Sequence, residues 1–498
     1  MSAIITEKFR QHNTNQFHES FSETAGNTYY LFLGKATPFT SGTTTGSDSS
    51  PPTPQDGEQD ETRAWDSMLA AKKIASTDIA FAIPRRNWVN GTTFDMYEHD
   101  VSSSNTSTSG ASNLYDSTFY LVTSAFRVYK VLDNNAGTAY DGAEPTSTST
   151  SPFELGGYIL KFMYDISTTD IGKYVTTDFI PVATDSTVSA AATAGSIESL
   201  RITAGSSYTN GTYYAAVYGD GTSQGTSSGA IVRITVSSGA IASFGLTAGT
   251  DTTIHAAGVG YTFGYVNLGV GFTFSDTSLS SASAIGGSGG VVEIIPSPEG
   301  GHGKNAITEL GGHFIMTATT ISQAENDDFS TANDFRQVGL MIDPTTFGTS
   351  TVGTASTFRQ TYAVKLATFS GTFEADEVIT QATTLASGKV VEWDSVLQIL
   401  YYQQESYKGF GTSASTGGLV AFSSTATITG GTSGATGTPS STSSETVTLA
   451  NSNTLTLTSG YANPELQPDS GDIIYLENRK PIQRASDQTE DIKIIIEF

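Results

Sequence analysis

Phe126-Arg-Val-Tyr-Lys-Val-Leu132 and Gly157-Tyr-Ile-Leu-Lys-Phe-Met-Tyr164 decide the fold class. Both runs are short and rich in β-branched and aromatic residues, and the Ser/Thr-rich stretch Asp141–Ser151 between them reads as a loop. A chain spelled this way builds its core from sheet rather than from a helix bundle. The same texture continues outward, upstream in Asn27-Thr-Tyr-Tyr-Leu-Phe-Leu-Gly34 and Ile79-Ala-Phe-Ala-Ile83, downstream in Val390-Val-Glu-Trp393 and Val396-Leu-Gln-Ile-Leu-Tyr-Tyr402. At the end, Ile492, Ile494, Ile496 and Phe498 share one face of a final strand, with Lys493 and Glu497 on the other. Two segments read as helices. Ile5, Phe9, Phe17 and Phe21 fall near one helical stripe, and Thr62–Ile74 reads as the longest helix, with Thr62 as N-cap and Asp66 ahead of Lys72 and Lys73. Between them, Thr40–Glu61 with Pro51, Pro52 and Pro54 reads as a loop.

The 498 residues include 51 glycines, and 24 Lys+Arg against 49 Asp+Glu give a formal charge of −25. A nonspecific nucleic-acid binder needs a basic face, so nucleic acid is not an expected partner. Only 15% of residues are charged, against about 25% in ordinary soluble domains, so much of the polar surface is hydroxyl and amide, which suits permanent assembly. With no cysteine there are no disulfides, thiolate nucleophiles or Cys-ligated metals. Glu7, Lys8, Arg10 and Glu19 interrupt the first 21 residues, so no secretion signal is expected there, and no apolar run is long enough for a membrane-spanning helix.

From residue 196 onward the chain becomes short β-prone runs punctuated by glycine. Ile197-Glu-Ser-Leu-Arg-Ile-Thr-Ala-Gly205 returns without a gap as Ile241-Ala-Ser-Phe-Gly-Leu-Thr-Ala-Gly249, which predicts two similar β units packed on each other. Asn210-Gly211 reads as a hairpin turn. Residues 346–461, which include Gly430-Gly-Thr-Ser-Gly-Ala-Thr-Gly437, read as a further β module.

Several chemical motifs are present by spelling only. Gly225-Thr-Ser-Ser-Gly229 and Gly286-Gly-Ser-Gly-Gly290 fit the nucleophile-elbow pattern but sit in serine–glycine loops. Gly300-Gly-His-Gly-Lys-Asn305 approaches a phosphate loop, with Pro298 where the first glycine belongs and Asn305 in place of the magnesium-binding hydroxyl. His12, His18, His99, His255, His302 and His313 show no metal-ligand spacing. The acids Glu374-Ala-Asp-Glu377 and Glu325-Asn-Asp-Asp328, and Asp220, read as solvated loops, not calcium sites or glycosidase pairs. No catalytic residue, metal ligand or cofactor is assigned. Pro84-Arg-Arg-Asn-Trp88 concentrates two guanidiniums and an indole in a chain poor in cations. Arg85, Arg86 and Trp88, together with the polar turn Glu477, Asn478 and Arg479, are the candidate interface residues. For Arg85 and Arg86 the plainer reading is pairing with carboxylates of their own fold.

Ser470-Gly-Asp-Ile-Ile-Tyr-Leu-Glu-Asn-Arg-Lys-Pro-Ile482 and Asp487-Gln-Thr-Glu-Asp-Ile-Lys-Ile-Ile495 resemble the end of the baseplate wedge subunit of T-even-type contractile-tailed bacteriophages, the product of their gene eight. Ala3-Ile-Ile-Thr-Glu-Lys-Phe-Arg10, Ala82–Trp88, Val128–Asp133 and Asp334–Pro344 follow the same resemblance in order. It implies a mainly β, multidomain, β-sandwich-like structural protein with a few short helices and without catalysis. It further implies a homodimer within the virion's tail baseplate, assembled in the host cytoplasm, touching other wedge proteins and no membrane. The expected core is residues 1–195 with about 286–345 and 462–498, carrying two inserted β modules at 196–285 and 346–461. The alternative is a glycan-binding host-surface adhesin, with Tyr213, Tyr214, Tyr218, Tyr261 and Tyr265 supplying rings; a glycan-degrading enzyme is a third reading.

Overall fold

The computed structural model of the protein describes residues 4–23, 26–39, 46–221, 229–406, 411–413, 418–449 and 452–498. Residues 40–45 of the expected loop and most of the Gly225–Gly229 motif lie outside them. The fold is mainly β with a few short helices. Among the described residues no helix is long and apolar enough to cross a membrane. Two compact units form, one from Met1–Gln16, Ala80–Met316 and Ile495–Phe498, the other from Phe17–Ile79 and Thr317–Ile494.

The first unit contains the two deciding stretches. They become strands Arg127–Asp133 and Tyr158–Asp165, paired antiparallel and flanked by Tyr120–Val122 and Phe153–Leu155. Residues Tyr158 to Tyr164 are all buried, so this sheet is covered on both faces and its strands read as continuous apolar runs. Phe119, Tyr120, Tyr129, Tyr140, Tyr158, Phe162 and Met163 fill its core.

A second sheet in the same unit has the strand order Ala240–Ile241, Ile231–Ser237, Gly211–Gly219, Gly264–Val266, Val291–Ile295, Ser199–Thr203, with Thr253–Ala256 also paired to Ile231–Ser237. This corrects the expectation of two similar units. The first copy of the repeat supplies one edge strand, Ser199–Thr203, whereas the second contributes only the two-residue strand Ala240–Ile241 at the opposite edge. Similar spelling leaves open which neighbours pair with each copy, and pairing defines a strand. Asn210-Gly211 closes no hairpin either: Ser206–Tyr208 pairs with Gly286–Ser288, and Asn210 Oδ1 accepts from Gly239 N at 2.8 Å. The tight turn is Ser238-Gly239, where φ is 55° and 77°; Ser237 and Ala240 pair across it.

The second unit holds a five-stranded sheet in the order Thr357–Arg359, Met68–Lys73, Tyr29–Gly34, Phe335–Ile342, Asp472–Ile482. Here Thr62–Ile74 departs from expectation. The helix is Glu58–Ser67, with Glu58, Asp60 and Glu61 in its first turn, and the chain turns extended at Met68 to enter the sheet. Met68, Leu69, Ala70 and Ala71 are buried in succession, which suits a strand with both faces covered. Lys72 reaches Glu325 and donates to Thr320 O at 2.6 Å. Among the described residues the longest helix is Glu7–Ser20. Its apolar stripe divides: Phe21 stacks on Tyr29 at 3.8 Å, whereas Ile5 and Phe9 are exposed.

Six strands of this unit close into an antiparallel barrel: Tyr362–Ser370, Ile399–Gln403, Ala386–Asp394, Val378–Gln381, Ile428–Gly430 and Thr436–Pro439, which returns to the first. Val364, Leu366, Ile379, Val390, Leu400, Tyr402 and Ile428 fill it. The interior is closely filled: a Cβ on Gly437 would overlap the Leu366 side chain. Closing the ring removes the free edges of these six strands, whereas Asp472–Ile482 ends its sheet with no further strand paired to its outer side among the described residues.

Candidate interaction site

Strand Ile79–Pro84 delivers Arg85 and Arg86 into loops of the first unit. Arg85 donates through Nε to Asn87 Oδ1 and through Nη1 to Thr176 O, both at 2.8 Å, while its backbone N–H donates to Asp178 O at 2.7 Å. Arg86 Nη2 donates to Tyr115 O at 2.7 Å, and its guanidinium lies 4.4 Å from the centre of the Tyr120 ring. Burial lowers the Arg86 pKa, with Tyr120, Asp95 and Asp116 acting in the opposite direction. Trp88 meets Tyr140 edge-on at 5.9 Å. The two guanidiniums bond to backbone carbonyls and lie on aromatic rings of their own unit, not on the carboxylates that their charge suggested.

Glu477, Asn478 and Arg479 form no turn: they lie in mid-strand within Asp472–Ile482. Asn478 Oδ1 accepts from Gln337 Nε2 at 2.8 Å, and its Nδ2 donates to Pro52 O at 2.9 Å, tying the strand to its neighbour Phe335–Ile342 and to the segment at Pro52. Glu477 accepts from Tyr475 OH at 2.6 Å and faces Arg479 at 3.6 Å. The Tyr475 hydroxyl pKa is raised, by burial first and then by the Glu477 carboxylate. Arg479 is exposed at the edge of its sheet.

One buried polar cluster was not foreseen. Lys130 and Lys161 stand directly opposite each other on neighbouring strands, both buried. Like charges so placed repel unless each has its own counterion. Lys130 Nζ is 3.1 Å from Glu309 and 3.8 Å from the Tyr97 ring centre, and Lys161 Nζ is 2.8 Å from Glu198. His302 lies beside them, wholly buried, edge-on to Tyr97 at 5.1 Å; burial and the two lysines hold its pKa well below the usual imidazole value. The phosphate-loop-like stretch has a different use here: Gly303 N and Asn305 N donate to the Glu309 carboxylate at 3.0 and 3.2 Å. A lysine embedded in each of two apolar runs was the available signal, because a buried ammonium requires a partner.

The acids singled out in the sequence act locally. Glu377 accepts from Thr432 N and Ser433 N at 3.0 and 2.9 Å, and although burial pushes its pKa up, these hydrogen bonds outweigh it and leave the pKa lowered. Asp220 accepts from Thr262 N at 2.9 Å. Asp328 accepts from Thr357 Oγ1 at 2.6 Å; burial, reinforced by Glu465, pushes its pKa up to about 7. Among the described residues no group of three or more His, Asp or Glu side chains is placed to hold a metal.

The family model described as Bacteriophage T4, Gp8 matches residues 3–143 and 443–498. Five of the six strings that carried the resemblance fall inside those segments; Asp334–Pro344 falls outside. Among curated proteins nothing matches. The matched segments contain both candidate interface stretches, Arg85–Trp88 and Glu477–Arg479. Over these two segments, 197 of its 498 residues, the chain is similar to the family described as Bacteriophage T4, Gp8.

Proposed function

We propose that this protein is a wedge subunit of a contractile tail: a homodimer, assembled in the host cytoplasm, that holds neighbouring wedge proteins and takes part in the rearrangement that triggers sheath contraction. The observation that carries the proposal is the family match over residues 3–143 and 443–498. Two features of those segments support a role in contacts. Strand Asp472–Ile482 keeps an outer edge with exposed Arg479, and Ile4, Ile5 and Phe9 expose apolar side chains near the start of the chain. Of the candidate interface residues, Glu477, Asn478 and Arg479 are given the contact, while Arg85, Arg86 and Trp88 brace the loops behind a neighbouring surface. The role is mechanical, with no bond made or broken. Residues 196–285 and 346–461 are read as modules inserted into the family core; the match leaves 144–442 uncovered, which takes in all of the first module and the second up to residue 442, together with 144–195 and 286–345 of the expected core.

Sedimentation of the purified protein, alone and mixed with the other wedge proteins of its phage, tests this. The expected result is a dimer that shifts into a larger complex. A monomer that leaves every wedge protein unbound contradicts it.

A further inference from the structure

The second sheet of the first unit separates its side chains by alternation. Val217, Leu200, Val292 and Ile294 point into the core, which sends Tyr218, Tyr265, Glu293 and Arg201 to the opposite face. These four residues are register partners in one line across four strands: Tyr218 opposite Tyr265, Tyr265 opposite Glu293, Glu293 opposite Arg201. At about 4.8 Å per strand the line is roughly 14 Å long.

Its two halves differ in chemistry. Tyr218 and Tyr265 are stacked at 5.6 Å with an interplanar angle of 21°, and Tyr265 is 51% exposed. Phe272 meets Tyr218 edge-on at 6.4 Å, and Phe263, two residues before Tyr265, is also exposed. In the other half Arg201 holds Glu293 through two hydrogen bonds of 2.9 and 2.7 Å and Glu98 through one of 2.6 Å, with Asp100 at 3.5 Å. Burial acts to lower the Arg201 pKa, and the bonds to Glu293 and Glu98 outweigh it, so the guanidinium stays charged and fixed. Of the five tyrosines considered in the sequence, Tyr213 and Tyr261 are buried and Tyr214 is half-buried, edge-on to His255 at 5.1 Å, which leaves Tyr218 and Tyr265 as the outward pair.

We propose that this line is a binding site for a neutral linear oligosaccharide, a function separate from the structural role. The face of an aromatic ring carries negative charge density that attracts the C–H groups of a pyranose face; Tyr265, braced by its stack on Tyr218 and 51% exposed, offers one sugar that contact, and the exposed Phe263 two residues before it offers a second apolar contact to the next. The fixed carboxylate and guanidinium groups beyond them accept and donate to sugar hydroxyls. Three carboxylates around one guanidinium, on a chain of charge −25, repel uronates, sialates and phosphates, so the ligand is uncharged.

The experiment is an array of neutral and acidic oligosaccharides probed with the full-length protein and with Tyr265→Ala and Tyr265→Phe. The intact protein and Tyr265→Phe are expected to retain neutral linear glycans, and Tyr265→Ala to weaken retention about tenfold, equivalent to about 1.4 kcal/mol. Thermal midpoints of the three proteins are compared alongside, because Tyr265 is half exposed and its loss leaves the core intact. Three results overturn the proposal: no neutral glycan retained, retention confined to acidic glycans, or retention unchanged in Tyr265→Ala.

Discussion

In the sheet of the first unit, two buried lysines face each other and each is matched to a carboxylate brought from elsewhere in the chain, Glu309 and Glu198. The barrel of the second unit has an apolar interior, in which Gly437 leaves room for the Leu366 side chain. One region is therefore set by charge balance and the other by volume. The same low-charge, glycine-rich composition supports both, and the two regions respond to different perturbations.

The largest expected effect breaks the charge balance. Glu309→Ala leaves Lys130 as an uncompensated buried ammonium and is expected to cost about 3–5 kcal/mol in urea denaturation of the first unit. The double variant Lys130→Met/Glu309→Leu is expected to recover most of that loss; if it does not, the pair is more than a matched charge. Next is volume: Gly437→Ala is expected to cost about 1–3 kcal/mol by overpacking against Leu366, and an unchanged midpoint means that the barrel can expand.

A smaller effect concerns two carboxyls beside the barrel that titrate in opposite senses. The Asp328 pKa is raised from 3.8 to about 7 in the fold, so the folded state binds its proton more tightly than the unfolded chain. Its contribution to stability is fullest at low pH and is lost as pH rises from about 4 to about 7. The Glu377 pKa is lowered from 4.5, so its contribution is present above that value and is lost as pH falls through the lower folded pKa. Denaturation curves over this range should flatten above pH 4 for Asp328→Asn and below it for Glu377→Gln. The smallest change in stability, within about 0.5 kcal/mol, is expected for Arg479→Glu at the exposed edge, while its sedimentation shifts from dimer toward monomer.

The sequence was most legible where residue type and burial agree. Tyr29–Gly34, Arg127–Asp133 and Tyr158–Asp165 were all readable as strands from their β-branched and aromatic content. Met68–Lys73 was not, because Met, Leu, Ala and Lys favour helices and a short apolar run has no distinguishing period; its fate depends on two strands far away in sequence. The Lys130–Glu309 pair spans 179 positions and could not be paired from spacing. The outward line of Tyr218 and Tyr265 was half legible. Alternation in Val217-Tyr218 and Tyr265-Val266 separates the faces, but only the register aligns the two rings. Of the candidate contacts, the polar character of Glu477–Arg479 was plain, while its continuity with the strand depended on pairing to Phe335–Ile342.

Cryo-electron microscopy of the intact tail of the parent phage tests the central claim most directly. The account predicts density for this chain in each wedge of the baseplate, paired with a second copy and in contact with other wedge proteins. Tails that are complete and contract normally without this chain in the baseplate would contradict it.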